Sequence, residues 1–336
     1  MTVGELGEFG LIERIRAALP GAGPQVLVGI GDDVAVLKGN GHDVWLATCD
    51  VQVEGSHFLR QSVPPRRLGR KALAVNLSDI ASAGGVPRFA LVSLGLPADL
   101  DVAFIDELYA GLREEGTRFA VDVVGGNISR VRHGMFIDVF LLGEAPRASV
   151  VLRSGARPGD RILLTGSVGD AAAGVALLLD PSLTTRPSYA ERARERQYSP
   201  EPRVREGAMI GAGHGASAMI DVSDGLASDL GHICEASGVS ARLSAVRLPV
   251  GAECRALSRA THGDEWHFAL RGGEDYELLF TCAAAQAADT ARRVTAETGT
   301  PVTDIGEVLP ASEPAELELP DGTRVPLGGA GWDHFR

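Results

Sequence analysis

The spacing of apolar residues predicts amphipathic helices that alternate with short strands. From Phe9 to Leu19 apolar residues recur every three or four positions, which is the period of one helix face, and Pro20-Gly21 ends the run. We therefore predict a first helix at about 6–19. The same pattern predicts helices at 68–83, 102–119, 170–179, 225–237 and 286–298.

Short apolar runs between turn residues predict the strands. They lie at 26–30, 44–48, 91–96, 120–124 and 135–142, and then at 161–165, 218–222, 241–243, 276–282 and 306–309. Turn-rich sequence at 153–160 separates the two groups, so we predict an α/β (α+β) protein with domains at 1–148 and 149–336. The segment 181–205 is rich in Pro, Arg and Glu, and we expect it to be solvated or mobile, with room for a helix.

Composition narrows the class of protein. The 336 residues carry a net charge of −12, which argues against nucleic acid or an anionic membrane as the main partner. The 4 cysteines are scattered and form no C-x-x-C pair, so neither a zinc site nor a disulfide framework is indicated. The acidic N-terminus and the lack of an apolar run of about 20 residues favour a cytoplasmic protein.

Carboxylates gather in short loops that follow apolar strands and helices, often beside glycine. The carboxylates are Asp32, Asp33, Asp50, Asp79, Asp221, Asp224, Glu274 and Asp275, and the amide Asn127 lies in a loop of the same kind. Convergent oxygens are what Mg²⁺ requires, and glycine lets the backbone approach a phosphate closely. Any one of these loops is equally an ordinary turn, and Asp224 could simply cap the helix at 225–237. Clustered together, however, the carboxylates would repel one another and would need cations.

Other phosphate-binding patterns are weaker. The chain has no Walker-type G-x-x-x-x-G-K-[ST] loop. The run from Gly166 to Gly174 follows a strand and opens a helix, which suits either phosphate binding at a helix N-terminus or a tight turn. It lacks the glycine spacing of a dinucleotide site.

In this order, the motifs resemble those of the thiamine-monophosphate kinase family, within the superfamily of aminoimidazole ribonucleotide synthetase and selenophosphate synthetase. The resemblance covers nearly the whole chain. Its most specific parts are His57-Phe58, the stretch Gly272-Gly-Glu-Asp-Tyr-Glu-Leu278 and the terminal Trp332-Asp-His-Phe335.

The resemblance implies a fold, an activity and partners. The fold is a two-domain aminoimidazole ribonucleotide synthetase-like architecture, whose N-terminal mixed sheet pairs with that of a twin subunit to form a shared β-barrel. The activity is the Mg²⁺-dependent transfer of a phosphoryl group from ATP to thiamine phosphate. The expected partners are therefore ATP, thiamine phosphate and a second copy of the chain, with no nucleic acid or membrane.

The resemblance also implies roles for individual residues. The metal ligands are Asp33, Thr48, Asp50, Asp79, Asn127, Asp221 and Asp224, of which Asp50, Asp79 and Asp221 would carry catalysis through the ions they hold. The nucleotide contacts are Gly126, Arg153 and Ser223, and the contacts to thiamine phosphate are His57, Glu274 and Trp332. A carboxylate and an aromatic face both suit a cationic thiazolium ring. From the residues alone, His57 could be a surface histidine, Trp332 a core anchor and Glu274 a turn cap.

This chain departs from the family pattern at three positions. Asn127 stands where Asp is usual, Cys49 where Thr is usual, and Gln197 where His is usual. Asn keeps a carbonyl ligand but removes a charge, so we expect one Mg²⁺ site to be weaker. Thiol is a poor ligand for a hard cation.

Two other hypotheses stay open. The chain could be another ATP-dependent enzyme of the same superfamily, although it has no Cys followed by Lys near its N-terminus of the kind expected in selenophosphate synthetase. It could also be a catalytically weakened protein that binds nucleotide or thiamine phosphate, with Asn127 as the first sign of the loss.

Overall fold

The computed structural model describes residues 2–19, 23–213 and 215–328. In the first half of the chain, six strands form one mixed sheet in the order β1-β2-β3-β6-β4-β5. The strands are β1 (Val26–Val28), β2 (Ala35–Lys38), β3 (Asp43–Val53), β4 (Val86–Leu96), β5 (Asp122–Arg130) and β6 (Phe136–Pro146). Neighbouring strands are antiparallel except for β4 and β5, which are parallel. The helices of this half are α1 (Val3–Ala18), α2 (Pro65–Ser82) and α3 (Val102–Phe119).

The second half forms a seven-stranded sheet in the order β13-β12-β9-β11-β7-β10-β8. Its strands are β7 (Asp160–Thr165), β8 (Ala218–Asp221), β9 (Val239–Ser244), β10 (Leu278–Ala283), β11 (Val302–Pro310), β12 (Glu316–Glu318) and β13 (Arg324–Pro326). The helices are α4 (Asp170–Leu179), α5 (Pro187–Tyr198), α6 (Val204–Ala212), α7 (Leu226–Ser237), α8 (Ala252–His262), α9 (His267–Arg271) and α10 (Ala284–Thr298). Within the described residues each sheet is therefore built from its own half of the chain.

Helix α2 lies between the two halves. It begins with a proline at its first position, where the missing N–H costs nothing, and most of its side chains are buried. It contacts β3, β6 and α3 on one side and β8 and α6 on the other. Its Leu77 and Ile80 belong to the same buried cluster as Met219, Leu278 and Phe280, so one apolar core continues from the first half into the second.

Glycine allows α2 and α3 to pack unusually closely. A Cβ at Gly69 would collide with the carbonyl group of Leu108, and a Cβ at Gly111 would collide with that of Arg66. The pair of helices therefore needs glycine at both positions.

Several sequence expectations are corrected by these elements. Strand β2 was not predicted, and β3 and β5 extend well beyond 44–48 and 120–124. The helix allowed for in segment 181–205 is present as α5, but the segment is not solvated throughout, because Tyr189, Gln197 and Arg203 are buried. Long-range partners explain the burial: Arg203 donates two hydrogen bonds of 2.6 Å to Glu277, and Tyr189 donates to Asp170.

Among the residues that the structure describes, the first sheet stays open in a single chain, with β1 and β5 as its edges. Every residue of β5 is exposed. Val124 and Ile128 expose 59% and 68% of their surface, which is unusual for apolar residues on an edge strand. The barrel that the resemblance implies is therefore not closed within one copy.

In the described part of the chain, none of the helices combines the length and the apolar character that crossing a membrane requires.

Candidate active site

A stripe of hydrogen-bond donors on α2 holds three acidic segments. Lys71, Ser78 and Ser82 are spaced by seven and four residues, which places them on one face of the helix. Their bonds are Lys71 Nζ to Glu274 Oε1 (2.5 Å), Ser78 Oγ to Asp221 Oδ2 (2.6 Å) and Ser82 Oγ to Asp33 Oδ2 (2.5 Å). Carboxylates from distant parts of the sequence therefore meet along a single helix.

Strand β3 adds further residues to the same cluster. Thr48 and Asp50 are two residues apart on the strand, so their side chains point to the same face of the sheet. Thr48 Oγ1 donates to Asp79 Oδ2 at 2.5 Å, and the backbone N–H of Asp50 donates to Asn76 Oδ1 at 3.0 Å. The predicted ligands Thr48, Asp50 and Asp79 thus lie together with Asp33 and Asp221.

The cluster is short of positive charge. Burial raises the pKa of the Asp79 carboxyl well above its usual range, and the charges of Asp50 and Asp221 raise it further. Burial and the Asp33 charge raise the pKa of Asp221 to about 8. Carboxylates packed in this way favour either protonation or a bound cation. The atoms of this cluster that could bind a metal are all oxygens, including the Thr48 hydroxyl, and oxygen is the ligand type that Mg²⁺ takes. The residues therefore fit a magnesium site.

Arg153 supplies some of the missing positive charge. Its guanidinium donates to Asp33 Oδ1 through Nε at 2.7 Å and also through Nη2, and its backbone N–H donates to Asp32 Oδ2 at 3.1 Å. Burial and the Asp33 charge raise the pKa of Asp32 to about 6. The residue predicted to contact the nucleotide is therefore bonded to the carboxylate cluster.

Two loops of the second half are bonded to each other beside this cluster. The backbone N–H groups of Glu274 and Tyr276 donate to the carbonyl oxygens of Ser223 and Val222 at 2.7 and 2.8 Å. A Cβ at Gly273 would collide with the Ser223 carbonyl, so only glycine fits there. Glu274 and Tyr276 have left-handed backbone conformations, with φ of 68° and 51°. The hydrogen bonds to Ser223 and Val222 hold the loop in this strained conformation, and strain of this kind is common at functional sites.

Helix α7 begins directly after the 221–225 loop. Its N-cap residue is Gly225, and no side chain caps it. Asp229 instead accepts hydrogen bonds from the backbone N–H groups of Asp224 and Gly225, at 3.2 and 3.1 Å. The structure therefore assigns loop support to Asp229, a residue that the sequence analysis did not single out.

His57 lies in the turn after β3, where its Nδ1 accepts a hydrogen bond of 2.9 Å from the backbone N–H of Val53. That bond orients the ring relative to the strand that carries Asp50. Trp332 lies outside the described residues.

Gly126 and Asn127 lie apart from the cluster within one chain. The strand register forms a row of Asp50, Val139, Val92 and Gly126 across β3, β6, β4 and β5. Three strand spacings separate the ends of that row, or about 14 Å. Val139 and Val92 between them are buried. Asn127 donates to Ser129 Oγ at 3.3 Å on the exposed edge.

Cavities open beside this edge strand. One of about 540 Å³ lies between α3 and the start of β5, and one of about 310 Å³ is lined by Val92, Tyr109, Gly126, Asn127 and Ile128. Tyr109 lines both cavities, and the sequence analysis did not identify it. The sequence placed Tyr109 on the predicted helix 102–119, but that position alone does not indicate a cavity.

Comparisons with known proteins give the family. Residues 31–145 match the model for AIR synthase related protein, N-terminal domain, and residues 157–316 match that for the C-terminal domain. The chain is 36% identical to thiamine-monophosphate kinase of Aquifex aeolicus over 335 residues, covering 100% of both chains. The chain belongs to the thiamine-monophosphate kinase family. It is also 36% identical to the Escherichia coli K12 member of the family, with 98% of each chain covered.

A solved structure supports this membership of the thiamine-monophosphate kinase family at the level of the fold. The complex described as AaThiL complexed with AMPPCP and TMP matches with a TM-score of 0.84 at 36% identity, covering 99% of each chain. The expected two-domain architecture with mixed sheets is thereby confirmed.

Proposed function

We propose that this chain transfers a phosphoryl group from ATP to thiamine phosphate, forming thiamine diphosphate and ADP. The observation that carries the proposal is the convergence of Asp33, Asp50, Asp79 and Asp221 around the donor face of α2. Phosphoryl transfer needs mainly positioning and charge neutralisation, which a cluster of this kind provides.

Mg²⁺ is the metal that we propose for the site. When bound, it neutralises phosphate charge and aligns the donor and acceptor oxygens. Asp50, Asp79 and Asp221 would hold the ions, and Thr48 and Asp33 would complete the shell. Asp224 follows Asp221 closely in the loop before α7 and is the further ligand proposed. A phosphate oxygen of the substrate is already ionised near neutral pH, so the chain needs no general base for the nucleophile.

We assign the remaining residues to the substrates. Glu274, His57 and Trp332 are proposed to bind thiamine phosphate, and Arg153 and Ser223 the nucleotide. Tyr109, beside Gly126 in the cavity, offers an aromatic face on which the base can stack.

A homodimer is part of the proposal. The bare edge and apolar side chains of β5 favour pairing with a second copy. Because buried residues separate Gly126 and Asn127 from Asp50 within one chain, we infer that they serve the carboxylate cluster of the other subunit. The domain limits 1–148 and 149–336 remain part of the same proposal.

One assay tests the activity. Purified protein is incubated with ATP, Mg²⁺ and thiamine phosphate, and thiamine diphosphate is measured. Formation of thiamine diphosphate at the rate of ADP formation supports the proposal. ATP turnover only with a different acceptor would favour another enzyme of the superfamily, and tight binding of both substrates without turnover would favour a catalytically weakened protein.

A further inference from the structure

Within the described residues, Lys71 is a fully buried cation with a single carboxylate partner, which lies on the other half of the chain. The sequence contains only one other lysine, Lys38. The side chain of Lys71 is 1% exposed, and its Nζ lies 2.5 Å from Glu274 Oε1. Burying an ammonium group is costly, and a buried ion pair adds little stability on average. The pair therefore needs an explanation other than stability.

Glu274 is held at several points yet still faces outward. Its backbone is bonded to Ser223, its φ is 68°, and its second oxygen lies 3.4 Å from Gln197 Nε2. Its side chain nevertheless keeps 23% of its surface exposed. The Oε1 of Gln197 is buried and has no hydrogen-bond partner among the described residues. An anion held on one side and open on the other, next to an unsatisfied amide oxygen, is suited to receiving a ligand.

A second buried ion pair nearby shows the contrast. Glu277, in the same segment as Glu274, is 0% exposed. Both of its oxygens accept hydrogen bonds from Arg203, and Oε2 also accepts one from Thr165. That pair is closed to any ligand and serves the fold. In the Lys71–Glu274 pair, by contrast, the Glu274 side chain is partly exposed and the Lys71 side chain is buried.

We propose that Lys71 is a positioning residue for substrate recognition, which acts by fixing the Glu274 carboxylate toward the cationic ring of thiamine phosphate. This inference depends on the proposed function, because it takes thiamine phosphate as the ligand of Glu274. Lys71 itself is too deeply buried to contact a substrate. Lys71 lies on the donor stripe of α2. It therefore connects the Glu274 carboxylate to the helix that also orients Asp221 and Asp33.

The test compares Lys71→Met, Lys71→Arg, Glu274→Gln and the Lys71→Met/Glu274→Gln double variant with wild type. KM and kcat are measured for each substrate, and the direct binding of thiamine phosphate is measured by calorimetry. A neutral isostere, with the thiazolium replaced by thiophene, serves as the charge probe. Ser82→Ala, on the same stripe of α2, is the matched control.

Lys71→Met should raise the KM for thiamine phosphate about tenfold, with the KM for ATP within about twofold of wild type. Preference for the cationic substrate over its neutral isostere should fall equally in Lys71→Met and Glu274→Gln. The double variant should lose no more than the worse single variant, since both changes remove one interaction. Lys71→Arg should recover most of the affinity, and Ser82→Ala should alter the Mg²⁺ dependence instead.

Three results would overturn the inference. They are additive losses in the double variant, an equal rise of both KM values in Lys71→Met, and unchanged discrimination against the neutral isostere. If Lys71→Met does not fold, Glu274→Gln still carries the test, because unchanged discrimination against the neutral isostere in that variant would overturn the inference. If the wild type turns over thiamine phosphate and the variants give any of these three results, only the role of Lys71 is rejected. A wild type with no activity on thiamine phosphate rejects the proposed function itself.

Discussion

The acidic face of α2 and the β5 edge differ in how far one chain completes them. On α2, buried carboxylates have hydrogen-bond donors from the same chain, and what the cluster lacks is positive charge. On β5, backbone groups and apolar side chains such as Ile128 are exposed, and no element of the described residues covers them. In the proposed function, metal ions would complete the first region and a second subunit would complete the second. Variants that change the carboxylate cluster should therefore leave pairing at β5 intact, and variants that change β5 should leave the carboxylate cluster intact.

The largest effect is expected from Asp79→Asn at the centre of the cluster. Loss of a ligand should lower kcat at least tenfold, or about 1.4 kcal/mol of barrier. The metal-free variant should nevertheless be more stable than wild type, because one buried acid is removed. Steady-state kinetics and thermal unfolding in the presence of a chelator measure both effects. Unchanged kinetics would mean that Asp79 holds no essential metal.

The stability difference should depend on pH. A carboxyl whose pKa is raised by folding binds more protons in the native state than in the unfolded state, so stability falls as pH rises through the interval between the two pKa values. For Asp221 that interval runs from about 4 in the unfolded chain to about 8 in the native protein. The Tm of metal-free wild type should therefore fall from pH 5 to pH 8, and that of Asp79→Asn should fall less. Parallel curves would contradict the assignment.

Ile128→Glu should prevent two copies of the chain from pairing through β5, and it should leave the carboxylate cluster unchanged. A charge on this exposed apolar position should disfavour pairing of two edges, giving monomers in sedimentation analysis and a loss of turnover. The increase in Tm on adding Mg²⁺ should remain, because the carboxylates lie within one chain. A dimeric, fully active variant would contradict the proposed role of β5, and Val246→Glu, at an exposed apolar position in the second half, is the control.

Tyr109→Ala should have a narrower effect. Stacking of a base on an aromatic ring contributes about 1–3 kcal/mol, so the KM for ATP should rise about tenfold. The KM for thiamine phosphate should stay the same, and Tyr109→Phe should behave as wild type. An equal change for both substrates would show that the cavity does not hold the base.

The smallest effect is expected from Asn127→Asp. Restoring a charge at this position should lower the Mg²⁺ concentration for half-maximal rate by about threefold. Asn127→Ala should shift it in the opposite direction. If neither variant changes the Mg²⁺ dependence of the rate, Asn127 is not a metal ligand.

The sequence predicted the elements that are built from local patterns. Helix α2 follows from the period of Leu73, Leu77 and Ile80, and α3 was predicted with its observed bounds. Strand β5 was predicted too short, because Gly125 and Gly126 interrupt its apolar pattern and every position is exposed. Edge strands of this kind carry little alternation for a pattern to detect.

Long-range pairings could not be predicted. Lys71 and Glu274 are 203 residues apart, and no periodicity connects them. The burial of Tyr189 in α5 depends on the packing of this helix against α4, where the Tyr189 hydroxyl donates to Asp170, and the polar composition of the segment does not show this. The acidic residues themselves were evident from the motifs. The donors Ser78 and Ser82 that orient them were not, since serine on a helix is usually unremarkable in sequence.

The most direct test of the account is to locate the metal. Crystals grown with Mn²⁺, thiamine phosphate and a non-hydrolysable ATP analogue would show the ions by anomalous diffraction. The account predicts metal ions coordinated by Asp50, Asp79 and Asp221 beside the donor face of α2, in contact with phosphate oxygens. Phosphates bound elsewhere, with no metal among these three carboxylates, would contradict it.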